Sequence, residues 1–112
     1  MPIQHWSERI WVAQLSNEPA LSEDLLQLRE EAEQRDPAPH LVLDFSSLTH
    51  INSSNLSGLL RLRKLALDRD VRVVLAALPD SIWATFLTTG LDKIFEFAQD
   101  VPNALAGLQI KE

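Results

Sequence analysis

Two short apolar runs, Leu41 to Phe45 (LVLDF) and Arg72 to Leu78 (RVVLAAL), constrain the fold of this chain more than any other feature. Neither alternates between apolar and polar positions. Each therefore reads as a strand covered on both faces, the pattern of parallel sheets flanked by helices. The stretch between them supplies such a helix, from about Ser54 to Asp68. Leu56, Leu59, Leu60, Leu62, Ala66 and Leu67 form its wide apolar arc, with Ser57, Arg61, Lys64 and Asp68 gathered opposite. Arg63 projects within the apolar arc, where its head can snorkel to the edge.

The same alternation extends in both directions. Ile10 to Leu15 (IWVAQL) is β-branched and aromatic enough for a strand, with an earlier edge around Ile3 to Trp6. Leu21, Leu25, Leu28 and Ala32 then recur at helical spacing, while Glu23, Asp24, Glu30, Glu31 and Glu33 fill the other face. Ser22 is a suitable N-cap, Leu21 and Leu26 are placed for a hydrophobic staple, and Pro37 and Pro39 close the segment. After the second central strand, Pro79 ends the run and Asp80 or Ser81 can cap a third helix. Its Ile82, Trp83, Phe86 and Leu87 share one side, Trp83 being read as core, and Gly90 can end it in the left-handed conformation. Phe95 and Phe97 occupy one face of a short strand, and Asp100 can cap a last helix with Pro102 near its first turn. The expected fold is α/β: one domain over residues 1–112, with a mainly parallel central sheet of four to five strands covered by about four helices.

A net charge of −6 argues against nucleic acid as the main ligand. The absence of cysteine removes disulfides, thiol catalysis and thiolate metal sites, and fits a reducing compartment. No apolar stretch is long enough to span a bilayer, and MPIQHWSER carries no secretion signal, so the expected location is cytoplasmic, without membrane insertion. Charge is unevenly spread, with Arg61, Arg63, Lys64, Arg69 and Arg72 close together and an acidic stretch from Glu18 to Asp36. Both read as solvated helix faces, the sharper alternative being a polarised surface for a protein partner.

Catalytic and metal chemistry find little support. His5, His40 and His50 have no second ligand three or four residues away, so no metal site is expected. Ser54, His50 and Asp44 could be arranged as a triad on paper, but no glycine-flanked nucleophile elbow accompanies them. Gly58, Gly90 and Gly107 are isolated, which leaves no phosphate loop and no expected cofactor. Asp44 is better explained as a strand-end carboxylate accepting backbone hydrogen bonds from the following turn. What remains is the polar segment Asn52-Ser53-Ser54-Asn55 between Ile51 and Leu56. Such residues satisfy the free N–H groups of a helix start. A phosphoryl group there would meet the same N–H groups and the positive end of the helix dipole, leaving the fold intact while changing the surface charge.

At this point the chain resembles a STAS domain of the anti-sigma-factor-antagonist type, over most of its length from Leu41 onward. The family's strand, Asp-Ser-Ser-Gly turn and apolar helix are matched by LVLDFSSLTHINSSNLSGLLRLRK, and its Thr-Gly-Leu-Asp-Lys-Leu-Phe segment by TTGLDKIF. The resemblance implies that Ser54 is the phosphoacceptor, with Ser53 the second candidate, and that Asn52, Ser53, Ser54, Asn55, Ser57 and Arg61 form the docking face. It implies an anti-sigma factor that is itself a serine kinase as partner, and a phosphatase that resets the cycle, so that catalysis belongs to the partners. The family's Asp and Gly are Asn52 and Asn55 here, which removes a negative charge beside the phosphoacceptor and adds bulk after it. Two other functions compete: a non-switching STAS scaffold or accessory subunit, for example of a membrane transport complex, and a nucleotide- or metabolite-binding domain, against which the missing glycine loop and acidic charge weigh.

Overall fold

Residues 3–111, with side chains through residue 109, are described by a computed structural model. The domain expected over 1–112 therefore extends past the described residues by Met1, Pro2 and Glu112. The chain runs β1 (Ile3–His5), β2 (Ile10–Gln14), α1 (Ala20–Glu33), β3 (His40–Asp44), α2 (Ser53–Arg69), β4 (Val73–Ala76), α3 (Asp80–Thr89), β5 (Glu96–Ala98) and α4 (Val101–Lys111), with a 3-10 turn at Leu91–Lys93. The strands form one sheet in sequence order, β1-β2-β3-β4-β5. β2 through β5 are parallel, in a register that sets Val12 beside Val42 and Leu43 beside Leu75, and β1 is the antiparallel edge.

Sequential order places α1, α2 and α3 on the same face, because each βαβ crossover takes the same hand. Trp11, Ala13, Leu41, Leu43, Val73 and Leu75 meet those helices in the main core. The alternate residues Ile10, Val12, Val42, Val74 and Ala76 form a smaller core against Ala104 and Leu108 of α4, which lies on the opposite face. That two-sided burial is why LVLDF and RVVLAAL show no alternation. Among the described residues, no helix is long and apolar enough to cross a membrane.

Several local expectations are corrected. α1 starts at Ala20, with Pro19 rather than Ser22 at its cap position. Leu26 is 47% exposed, so the staple with buried Leu21 does not form. Asp24, assigned to the solvent face, is buried. In α2 the buried set is Leu59, Leu62, Leu65 and Ala66 with Asn55, whereas Leu67 of the expected arc is 63% exposed. Arg63 reaches outward to donate to the Ile94 carbonyl at 3.1 Å, which accounts for a charge inside the arc. β4 is shorter than its apolar run because Ala77 adopts φ 59 and turns the chain out of the sheet. Neither Asp80 nor Ser81 caps α3: Pro79 holds that position with no side-chain bond, and Asp80 is the first helical residue. Trp83 is 36% exposed, not core, and packs edge-on against Phe97 with centroids 5.0 Å apart. Gly90 does close α3 at φ 77, and the Asp100 carboxylate does cap α4 by accepting the Asn103 N–H at 2.9 Å.

Candidate phosphorylation and docking site

The chain leaves β3 at Asp44, whose carboxylate accepts the Ser46 N–H at 2.9 Å, the strand-end role expected for it. Buried Leu48 anchors the loop that follows. Asn17, in the loop after β2, fixes the same segment from the side. Its Oδ1 accepts the Thr49 N–H at 2.9 Å, and its Nδ2 donates to Thr49 Oγ1 at 3.1 Å. Two neighbouring loops at the C-terminal ends of parallel strands are thereby joined, the region where open α/β sheets place their functional residues.

Asn52 then sits in extended backbone, φ −118 and ψ 175, as the N-cap of α2. Its Oδ1 accepts the Asn55 N–H at 2.8 Å, and the Asn55 Oδ1 accepts the Asn52 N–H at 2.9 Å, closing a reciprocal capping box. The amide of Asn55 is shared further, its Nδ2 donating to Glu18 at 3.0 Å and to Ser22 Oγ at 3.3 Å. Asn55 is 1% exposed, so this member of the expected docking set is structural and unavailable to a partner. The two positions that differ from the family's Asp and Gly thus form one hydrogen-bonded unit.

Glu18 is the hub of that unit. Its carboxylate accepts the Ser22 hydroxyl at 2.5 Å and the Ser22 N–H at 2.9 Å, and lies 3.5 Å from Asn52 Nδ2. These donors, the Ser22 hydroxyl and N–H first and then Asn55, stabilise the charged form and lower its pKa from 4.5 to about 2, against a small opposing effect of burial. Ser22, expected to cap α1 itself, gives its N–H to this carboxylate instead.

Ser53 and Ser54 occupy the first two helical positions of α2, and both are exposed. The capping is performed by the asparagines, and no hydrogen bond of either serine side chain is found among the described residues. Ser54, Ser57 and Arg61 follow at helical spacing along one exposed face. Between that face and α1 lies a groove of about 170 Å³, with Ser22, Leu26 and Arg29 on one wall, Ser54 and Arg61 on the other, and Leu25 and Gly58 at its floor. The helices approach closely at Gly58, where a Cβ would stand 3.2 Å from Leu25 Cδ1.

The residues considered for catalysis are not assembled. Asp44 bonds Ser46, while His50 Nδ1 pairs with Thr49 Oγ1 at 2.9 Å. His40 Nδ1 accepts the Arg72 N–H at 3.0 Å, and His5 stacks on Trp11. No cluster of His, Asp or Glu able to hold a metal exists among the described residues. Sequence reasoning missed Asn17 and the reach of Glu18 to Asn55, because those partners lie 32 and 37 residues away and no local pattern announces them; it missed Arg29 because the groove that residue lines is shared with α2.

The family model for the STAS domain matches residues 15–104, from the end of β2 to the first half of α4. The chain belongs to the STAS domain family. Comparison with curated proteins returned no match. Among solved structures, this STAS domain is similar to a serine-to-glutamate variant of RsbS from Moorella thermoacetica, with TM-score 0.77, 22% identity, and coverage of 96% of this chain and 93% of that one. It is similar to a chain from the molecular architecture of the stressosome, described as a signal integration and transduction hub, with TM-score 0.76, 23% identity and 96% of each chain covered. It is also similar to a Thermotoga maritima protein assigned as an anti-sigma factor antagonist, with TM-score 0.82, 13% identity, and 96% and 93% of the two chains covered. At these identities the likeness is one of fold.

Proposed function

We propose that this STAS domain is an anti-sigma-factor-antagonist-like regulatory protein that docks to an anti-sigma factor acting as a serine kinase and is switched by phosphorylation of Ser54. The observation that carries this reading is the division of labour at the start of α2. Asn52 and Asn55 each accept the other's backbone N–H, so the cap closes without the adjacent serine side chains, which are exposed. The family membership and the roles named for the stressosome and anti-sigma-factor-antagonist neighbours support it.

In the transfer, Ser54 Oγ attacks the γ-phosphorus of ATP held by the kinase. The bond to the β-bridging oxygen breaks, ADP leaves, and the hydroxyl proton passes to a base on the kinase. The ester adds about −1.5 to −2 charges beside Ser57 and Arg61, enough to weaken a docked complex. A phosphatase then restores the serine by hydrolysis, and this chain supplies only the substrate hydroxyl and the docking face.

Mass spectrometry after incubation with the cognate kinase and ATP tests the reading. Phosphate is expected on Ser54, with Ser53 the second candidate. Ser54→Ala should hold its partner without release and Ser54→Asp should bind more weakly. Equal affinities, together with no phosphate on either serine, leave the non-switching scaffold as the surviving function.

A further inference from the structure

The groove between α1 and α2 has a charge pattern that the cap does not explain. Because α1 and α2 run parallel, Ser22 faces Ser54 at one end and Arg29 faces Arg61 at the other. No carboxylate lines the groove, although the chain carries a net charge of −6. No hydrogen bond or ion pair to either guanidinium is found among the described residues. Two unengaged arginines converging on one cavity beside a serine make an anion receptor of fork geometry.

We propose that Arg29 and Arg61 capture the phosphoryl group of phosphorylated Ser54, so that the modified side chain folds into the α1–α2 groove instead of standing in solvent. This rests on the functional reading above and assigns the device that holds its phosphorylated state. Ser54 and Arg61 are two turns apart, roughly 10.5 Å along the axis, and helical side chains lean toward the N-terminus, so Arg61 extends back toward Ser54. The Glu18 carboxylate, outside the groove lining but bonded to Ser22 at that end, repels the phosphoryl group. One end of the groove therefore pushes the dianion away while the other attracts it. Gly58 adds no side chain to the groove between Ser54 and Arg61, and Leu25 packs against its backbone. Ser53 does not line the groove, so the device distinguishes the two serines.

The test uses full-length protein carrying phosphoserine inserted at position 54 by codon reassignment, so it does not depend on any kinase. The phosphorus NMR titration gives the second ionisation of the ester, about 6 when unperturbed. Two arginines at close range should hold it lower than in the Arg29→Gln/Arg61→Gln double variant by about half a unit or more at moderate salt. The helix end acts equally in both proteins, so the difference reports the arginines. Arg29→Lys/Arg61→Lys should fall between, keeping charge but losing the fork. Phosphoserine at position 53 should titrate identically with and without the arginine pair.

Superimposable position-54 titrations in the parent and the glutamine variant overturn the proposal. So does a protein that unfolds on carrying the modification, because capture stabilises the folded state. Arginine-dependent capture in a chain that its kinase never modifies would sink the functional reading alone. Kinase-driven phosphorylation of Ser54 with no arginine effect would sink the capture alone.

Discussion

Replacing Asn55 by alanine tests whether the capping box holds the α2 start in place. The substitution removes the acceptor of the Asn52 N–H, held at 2.9 Å, and the donor to Ser22 Oγ at 3.3 Å. The cap bond is worth about 1–2 kcal/mol. The bond to Ser22 adds about 0.5–1 kcal/mol, at the weak end because it is long. The bond from Asn55 Nδ2 to Glu18 is also lost, but it ends on a solvated carboxylate and water replaces it. The expected loss is therefore about 1.5–3 kcal/mol, which for a chain of this size lowers Tm by about 6–12 °C. Thermal and urea unfolding followed by far-UV circular dichroism at pH 7 measure it. Asn52→Ala removes the other half of the box, so the double variant should cost less than the two single losses added together, by about 0.5 kcal/mol or more. A shift under about 2 °C for Asn55→Ala, or strict additivity of the pair, would refute the reciprocal cap as the stabilising unit.

Three further outcomes follow from the same structure. The Glu18 pKa of about 2 in the folded state lies below its ordinary 4.5, so its contribution is complete above pH 4.5 and is lost as pH falls toward 2; Glu18→Gln should flatten the acid limb of the stability curve, and a curve superimposable on the parent's below pH 4.5 counts against the hub. Gly107 lies inside α4 with nothing within 4 Å of a built Cβ, so Gly107→Ala should raise stability by about 0.5–1 kcal/mol in urea unfolding. Gly90→Ala meets equally open space but at φ 77, so it should instead cost about 1 kcal/mol, and a neutral result would show that the left-handed backbone there is not maintained.

The layered fold was legible because its signals are local and repeated. The unalternating runs at Leu41 and Arg72 report burial on both faces, and the periodicity of Leu21, Leu25 and Leu28 reports a helix whichever sheet it meets. Helix starts were less legible. Ser22 and Asp80 are good capping residues by type, but the chain turns into α1 at Pro19 and into α3 at Pro79, one or more residues earlier. Periodicity likewise cannot tell a helix flank covered by a neighbour from one left bare. Trp83 and Leu67 share spacing with core residues and lie at the rim. At the site, the polar segment and Ser54 were visible as residue types in a turn. The carboxylate that organises them was not, because Glu18 reaches Asn55 across 37 positions of sequence.

The stitching of the loop after β2 to the loop after β3, through Asn17 and Glu18, has a consequence for the kinetics of recognition. Both loops are already fixed in the isolated chain, so the entropy of ordering them falls on folding, not on association. A partner meeting this surface should then bind by rigid docking, with its association rate set by encounter and orientation and its affinity adjusted chiefly through dissociation. The amide protons of Thr49 and Asn55 should exchange with solvent together, in one opening event that frees both loops at once.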